Sequence, residues 1–463
     1  MSDALTSRKT ALPESWLGEM SALMRLGVPM ALTQLVHYSI YFVDMVMIGR
    51  ISPEDVAAAG LGSVVVFLLW MLASGPTNAV SPMVSQALGA NQNDTRDARR
   101  CVRMSLWVIA FMTPFIVGII WLAEPIMLHL GQDPLISGKA KSYVYALGIG
   151  LQFSLATMSL RNFLAALDKT FIPFLIIVAT ILLNVALNAI LIFGLLGFPR
   201  LELVGAGLAS SLSAIAGFFI FVVYINTDKR ARKFDIFKNI FTADWERFKD
   251  IIRLGWPISM ASTFEGMLFN AGLLVIGLIG VMQQAAYQIA LNVASCAFMM
   301  PWGMSMAGGV RIGLARGAGN AAAERRAAST TIVAALIAIA IFAIPTALFP
   351  EKIAALYLSL EAPENQEVIK YIVLFLPIAA AFTIFDAVQV ACNQLLRGLK
   401  DVNIPMWITG VSYWVIGFPA AYYLGLHSSL GATGVWYGLM LSLFCAALGL
   451  GIRLRQQLRL QTI

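Results

Sequence analysis

The chain has 463 residues, of which 59% are hydrophobic and only 12% charged, with a net charge of +7 and a mean hydropathy of +0.79. Soluble domains carry about 25% charged residues, so a water-soluble globular protein is excluded. Apolar runs of about 20 residues, the span of a bilayer core, recur along the whole length and mark a polytopic membrane protein.

The N-terminal stretch MSDALTSRKTALPESWLGEM is polar and lacks the apolar core of a cleaved signal peptide. Membrane helices are predicted at about 22–48, 56–80, 101–123, 142–160, 172–196, 203–225, 254–280, 284–307, 328–349, 371–392, 403–424 and 430–452. The N-terminus, every second loop and the C-terminus hold 26 of the 32 Lys and Arg, against 6 in the other loops. Basic loops stay cytoplasmic, so both termini and the loop 226–253 are expected inside. The sorting explains the charge of +7 as topology and makes nucleic acid unnecessary as a partner.

In the first helix, RLGVPM (25–30) places a kink at Pro29. YFVDMVMIG (41–49) then puts Asp44 at membrane depth. His37, seven residues earlier, shares a face with it, and is read as a neutral polar contact rather than a proton carrier. On the fifth helix Asn184 and Asn188 stand at i, i+4 on one face. The basic segment NTDKRARKFDIFKNIFTADWERFKD (226–250) separates two sets of six helices. It is expected either to lie along the anionic inner leaflet or to be a solvated linker. The seventh helix carries RLGWPI (253–258), with Pro257, and then Glu265. The eighth carries Gln288 and Asn292 at i, i+4, and the tenth Asp386 with Gln389 and Asn393.

A charge at mid-bilayer costs about 3 kcal/mol on insertion scales, so such residues face an interior cavity and mark function. Three acids with no Lys or Arg at depth to pair them point to binding of a cation. Hydrogen bonding between helices is the ordinary role of the neutral polar residues. Arg161, Arg311 and Arg397 lie near cytoplasmic ends and are expected to snorkel. Cys101, Cys296, Cys392 and Cys445 show no pairing pattern and read as small apolar fillers.

The halves repeat one pattern. RLGVPM matches RLGWPI at an offset of 228, as does IG at 48–49 with IG at 276–277. QALGAN (86–91) lines up with LARGAG (314–319), and LAALDKTFIP (164–173) with LRGLKDVNIP (396–405) at an offset of 232. The reading is an all-α fold of two six-helix bundles related by a pseudo-two-fold axis along the membrane normal. Its N-terminal lobe is 1–225, the inter-lobe loop 226–250 and the C-terminal lobe 251–463. At offset 228 Glu265 aligns with His37, whereas Asp44 aligns with Gly272 and has no acidic counterpart.

RLGVPM…FVDMVMIG, SPMVSQALGA after the second helix and VRIGLARGAG after the eighth resemble the multidrug and toxic compound extrusion (MATE) family. FEGMLF and FDAVQVACNQLLRGLKDVNIPM are similar to its NorM-like branch. The resemblance implies export of cationic and amphiphilic drugs and toxins, driven by inward flow of Na⁺ or H⁺ with alternating access. By position it implies a C-terminal-lobe cation site at Glu265 and Asp386, which would hold Na⁺ if that is the coupling ion. Phe298 falls where some relatives have a tyrosine near that cation, and Tyr287 joins the supporting set. Asp44, Asn184, Asn188 and Ser210 match an N-terminal-lobe polar cluster. Some relatives carry an aspartate where this chain has Asn188. No cofactor, a monomer in contact with membrane lipid, and location in a bacterial inner membrane are further expectations. A related two-bundle flippase or exporter of a lipid-linked or metabolite substrate is the alternative. A membrane enzyme would need a nucleophile or metal motif such as HExxH or GxSxG, and the sequence has neither.

Overall fold

The computed structural model describes residues 12–91, 95–359 and 361–460. The polar stretch that opens the chain lies, through residue 11, outside the described residues. Every regular element among the described residues is helical, and twelve helices are long and apolar enough to cross a membrane. They are α1 (Trp16–Ile48), α2 (Pro53–Ala90), α3 (Thr95–Trp121), α4 (Pro134–Ala166), α5 (Phe171–Phe193) and α6 (Glu202–Thr227). After the loop come α7 (Trp245–Ile279), α8 (Val281–Gly317), α9 (Ala321–Leu348), α10 (Gln366–Gly398), α11 (Asn403–Leu426) and α12 (Ala432–Arg459). All twelve predicted spans are present, and several run longer than their apolar windows, because polar residues continue the helix past the bilayer core.

Local chemistry sets the helix ends. The Ser52 hydroxyl accepts from the Asp55 amide (3.1 Å), with Pro53 at the first position of α2. Asp133 caps α4 ahead of Pro134 in the same way, and Asn320 caps α9. The sequence repeat is visible in one turn. Asp168 and Lys400, equivalent at offset 232, both take left-handed φ values, 63° and 60°. In each, the next amide reaches back to close the helix, Lys169 to Leu164 (2.9 Å) and Asp401 to Leu396 (3.0 Å).

The chain forms two compact units, one of Leu35–Ser259 and the other of the chain through Gln34 with Met260 onward. They part inside α1 and α7, so each unit takes its opening turns from the other repeat. Close glycine approaches accompany the exchange. In the first unit a Cβ on Gly255 would lie 2.6 Å from the Pro76 backbone nitrogen. In the second, a Cβ on Gly27, 228 residues earlier, would lie 2.6 Å from the Met304 sulfur.

The first unit's core gathers Leu69, Ile109, Ile116, Leu151 and Leu155; the second's is built round Trp436, Tyr287, Phe375 and Phe382. Bulky side chains such as Leu182, Leu274, Leu278 and Trp407 are left exposed, as helices facing hydrocarbon require.

The segment 226–250 is not a free solvated linker, because part of it packs against the helices of its own unit. Ala231, Phe234 and Ile236 are buried, and Phe234 packs edge-on against Phe163. The Trp107 indole donates to the Ile240 carbonyl (2.7 Å), Arg100 pairs with Asp244, and Lys169 with Asp228. The basic composition misled because it masks the segment's acids, Asp228 and Asp244, which tie it to Lys169 of the α4–α5 turn and Arg100 of α3.

Candidate functional site

In the first unit Asp44 is buried on α1 and meets α5 and α6. Asn188 donates its amide to one Asp44 oxygen (2.6 Å) and Ser210 its hydroxyl to the other (3.3 Å). The Asn188 amide also reaches Asn184 (3.2 Å), which in turn donates to Ser210 (3.2 Å) and Ser213 (3.4 Å). The four residues singled out in sequence for this lobe therefore form one network. Ser213 was missed, although its i, i+3 spacing from Ser210 puts it on the same face. Tyr143, within electrostatic reach of Asp44, was missed too; it follows the polar stretch SGKAKS (137–142) at the edge of the predicted fourth span, where nothing marks it. The network is saturated on its donor side, whereas the Asn188 carbonyl oxygen is buried without a partner in the protein. A carboxylate beside a spare carbonyl oxygen suits a hard cation or a proton. His37 lies within electrostatic reach of Arg161.

In the second unit Glu265 on α7 and Asp386 on α10 are near enough to interact electrostatically. Tyr413 lies within reach of both. It sits in a π-helical stretch of α11, Val411–Gly417, a distortion frequent at functional sites. One Asp386 oxygen, both amide atoms of Gln389 and the Tyr413 hydroxyl are buried with no hydrogen-bond partner in the protein. Leaving such groups unmatched costs about 1–3 kcal/mol each, and the set is arranged as for a ligand that supplies the missing contacts.

Two arginine expectations are overturned. Arg397 does not snorkel: it folds back along α10 onto Asn393 (3.2 Å), donates to Ser262 (3.4 Å) and lies within reach of Glu265. Helical side chains lean toward the N-terminus, which turns an arginine of the last turn inward. The acids at depth thus do have a basic companion. Arg311 is also buried, its guanidinium forked onto both oxygens of Glu19 (2.8 and 2.6 Å). Glu19 escaped notice because it precedes the first predicted span, 22–48, although it lies in the first turn of α1.

Of the supporting residues, Tyr287 is a core residue: fully buried, it donates to the Phe269 carbonyl (3.2 Å) and packs on Trp436 at 5.0 Å. Gln288 is exposed on α8. Asn292 accepts from the Tyr357 hydroxyl (2.9 Å). Phe298 stacks on Trp302, with ring centres 6.0 Å apart.

The model of the MatE family matches residues 29–190 and 257–423. A protein of Rhizobium meliloti (strain 1021) described as "Probable multidrug resistance protein NorM" is 37% identical over 445 residues, 96% of this chain and 95% of that protein. A protein of Pseudomonas aeruginosa with the same description is 34% identical over 434 residues, 94% of this chain and 88% of its own length. Among solved structures, an outward-facing multidrug resistance MATE family transporter of the MOP superfamily superposes with a TM-score of 0.87. The two share 21% identity, over 96% of this chain and 97% of that one. The eukaryotic MATE transporter AtDTX14 gives a TM-score of 0.82 at 19% identity, covering 96% of this chain and 98% of its own. A matched model spanning both repeats, with relatives alike from end to end, leaves one conclusion: the chain belongs to the MatE family.

Proposed function

We propose that this chain is a secondary active multidrug efflux transporter, exporting cationic and amphiphilic organic compounds by antiport with Na⁺ or H⁺. The names of its relatives support the drug-export reading, and family membership supports transport rather than catalysis. The observation that carries the coupling reading is the second unit's cluster, where buried oxygens of Asp386, Gln389 and Tyr413 lack partners in the protein. With both carboxylates ionised and Arg397 charged, Glu265, Asp386 and Arg397 sum to one net negative charge. One monovalent cation neutralises it, which fits a single coupling ion per cycle at this cluster.

Asp44 and its network form a separate site for a cation or a cationic substrate. Antiport requires that ion and drug exclude each other. A proton or Na⁺ taken up from outside neutralises the acids; its release inside restores charge that attracts the cationic substrate. Coupling then follows from competition for the same carboxylates as access alternates between the lobes 1–225 and 251–463. The distribution of basic residues supports cytoplasmic termini, the bacterial relatives support an inner membrane, and a monomer in contact with lipid and needing no cofactor completes the reading.

The test is dye efflux from vesicles holding the full chain, with Na⁺ and pH gradients imposed separately. Glu265→Gln and Asp386→Asn should each abolish gradient-driven export while the protein stays folded. Wild-type rates in both variants would overturn the site assignment.

A further inference from the structure

The second unit has a groove of about 430 Å³ between the start of α9 and the end of α12, lined by none of the residues of either acidic cluster. Its walls are two helical stripes. Arg325, Ala328, Ser329 and Ile332 lie on α9 at i, i+3, i+4 and i+7; Gly451, Leu454, Arg455, Leu458 and Arg459 continue the same spacing on α12. Buried Cys392 of α10 completes the lining.

The lining is graded. Arg325 is in the first turns of α9, and Arg455 and Arg459 are in the last turns of α12, so all three arginines stand at one end. Ile332, Gly451 and Cys392 lie deeper in the span. From Arg325 to Ile332 the drop along the axis is about 10 Å at 1.5 Å per residue. The lining residues include three cations and no carboxylate.

A glycine makes the deep end. A Cβ added at Gly451 would meet no atom within 4 Å. Most interior glycines here serve close helix contact, as Gly255 and Gly27 do. Gly451 instead borders open space in the groove.

A charged rim above an apolar floor matches an amphiphile with an anionic head. The volume lies within the range of about 300–1,000 Å³ usual for ligand sites. Guanidinium forks suit phosphate oxygens, and basic pockets between membrane helices are the ordinary receptors for acidic lipid head groups. We propose that this groove binds one anionic phospholipid, its phosphodiester held by Arg325, Arg455 and Arg459 and its first acyl methylenes lying over Gly451 and Ile332. The site is independent of the coupling acids. Only its leaflet, the cytoplasmic one, rests on the orientation proposed above.

The test uses the full chain in nanodiscs of phosphatidylglycerol or phosphatidylcholine, counting retained lipids by native mass spectrometry. The wild type should keep one phosphatidylglycerol that phosphatidylcholine does not replace. Arg455→Gln with Arg459→Gln should weaken retention about fivefold for each arginine removed. Gly451→Leu fills the apolar floor and leaves all three charges. It should displace the lipid while the melting temperature in neutral detergent holds, since leucine is the better helix former. Inorganic phosphate alone provides the remaining arm. If it stabilises the wild type and the Gly451→Leu variant equally, the groove takes a free anion and the lipid assignment is wrong. Unchanged phosphatidylglycerol retention in both variants overturns the proposal outright.

Discussion

Glu19→Gln is the sharpest test of the buried chemistry. The side chain keeps its size, but Arg311, forked onto Glu19 at 2.8 and 2.6 Å with both groups nearly inaccessible, loses its counter-charge. Removing one partner of a buried pair costs about 3–5 kcal/mol, because the other charge stays buried. Glutamine keeps one oxygen that can accept from the guanidinium, worth about 1.5–3 kcal/mol. The expected net loss is therefore about 2 kcal/mol, a 30-fold shift in the folding equilibrium. Reversible unfolding in mixed SDS micelles measures it. Glu19→Leu combined with Arg311→Met should recover most of the stability that each of those single changes loses, giving a coupling of at least about 3 kcal/mol in a double-mutant cycle. If the double variant loses the sum of the two single effects, the pair is not acting as a pair and the reasoning fails.

Asp44→Asn should leave stability within about 1 kcal/mol, because asparagine can still accept from Asn188 and meet Ser210; export coupled to the cation gradient should fall at least tenfold. A melting shift as large as that of Glu19→Gln would reassign Asp44 to structure. Arg397→Gln removes the fixed positive charge from the Glu265–Asp386 cluster. Unit charges about 10 Å apart at an effective dielectric of about 20 interact by about 1.7 kcal/mol, so cation affinity should tighten about tenfold or more. An unchanged Na⁺ or H⁺ dependence of transport would reject that role. Outside the membrane, the Arg100 hydrogen bond holds the Asp244 carboxyl below the usual carboxylate range. A lowered value means that the stabilisation is complete at neutral pH and is lost only as pH falls through the depressed folded value. Hydrogen exchange in 226–250 should thus stay slow through mildly acid pH, whereas Asp244→Asn should speed it at pH 7.

The fold was legible because its signals are one-dimensional: apolar windows, the alternation of basic loops and a repeat of matching motifs. The Asp44 network was legible for a similar reason, since i, i+4 polar pairs in an otherwise apolar helix announce a shared face. What escaped depended on side-chain direction and on partners distant in sequence. Arg397 and Arg311 stand at helix ends in the sequence, yet both turn inward, one toward an asparagine a turn behind it and one onto a glutamate 292 residues away. Tyr287 was placed in the supporting set by the family resemblance, but it is a core residue whose hydroxyl would lie 2.9 Å from a Cβ at Gly272. That contact also gives a physical reason why the second repeat has glycine where the first has Asp44: the tyrosine occupies the space.

The partition of the chain within α1 and α7 has a consequence for biogenesis. The unit Leu35–Ser259 has all its residues once the ribosome has passed the start of α7, whereas the other unit needs turns of α1 made first and helices made last. The opening segment must therefore wait in the bilayer for more than two hundred residues of synthesis before its partners exist. A split gene cut in the loop 226–250 would deliver each half lacking turns that complete its own unit, so the halves should be stable only when made together.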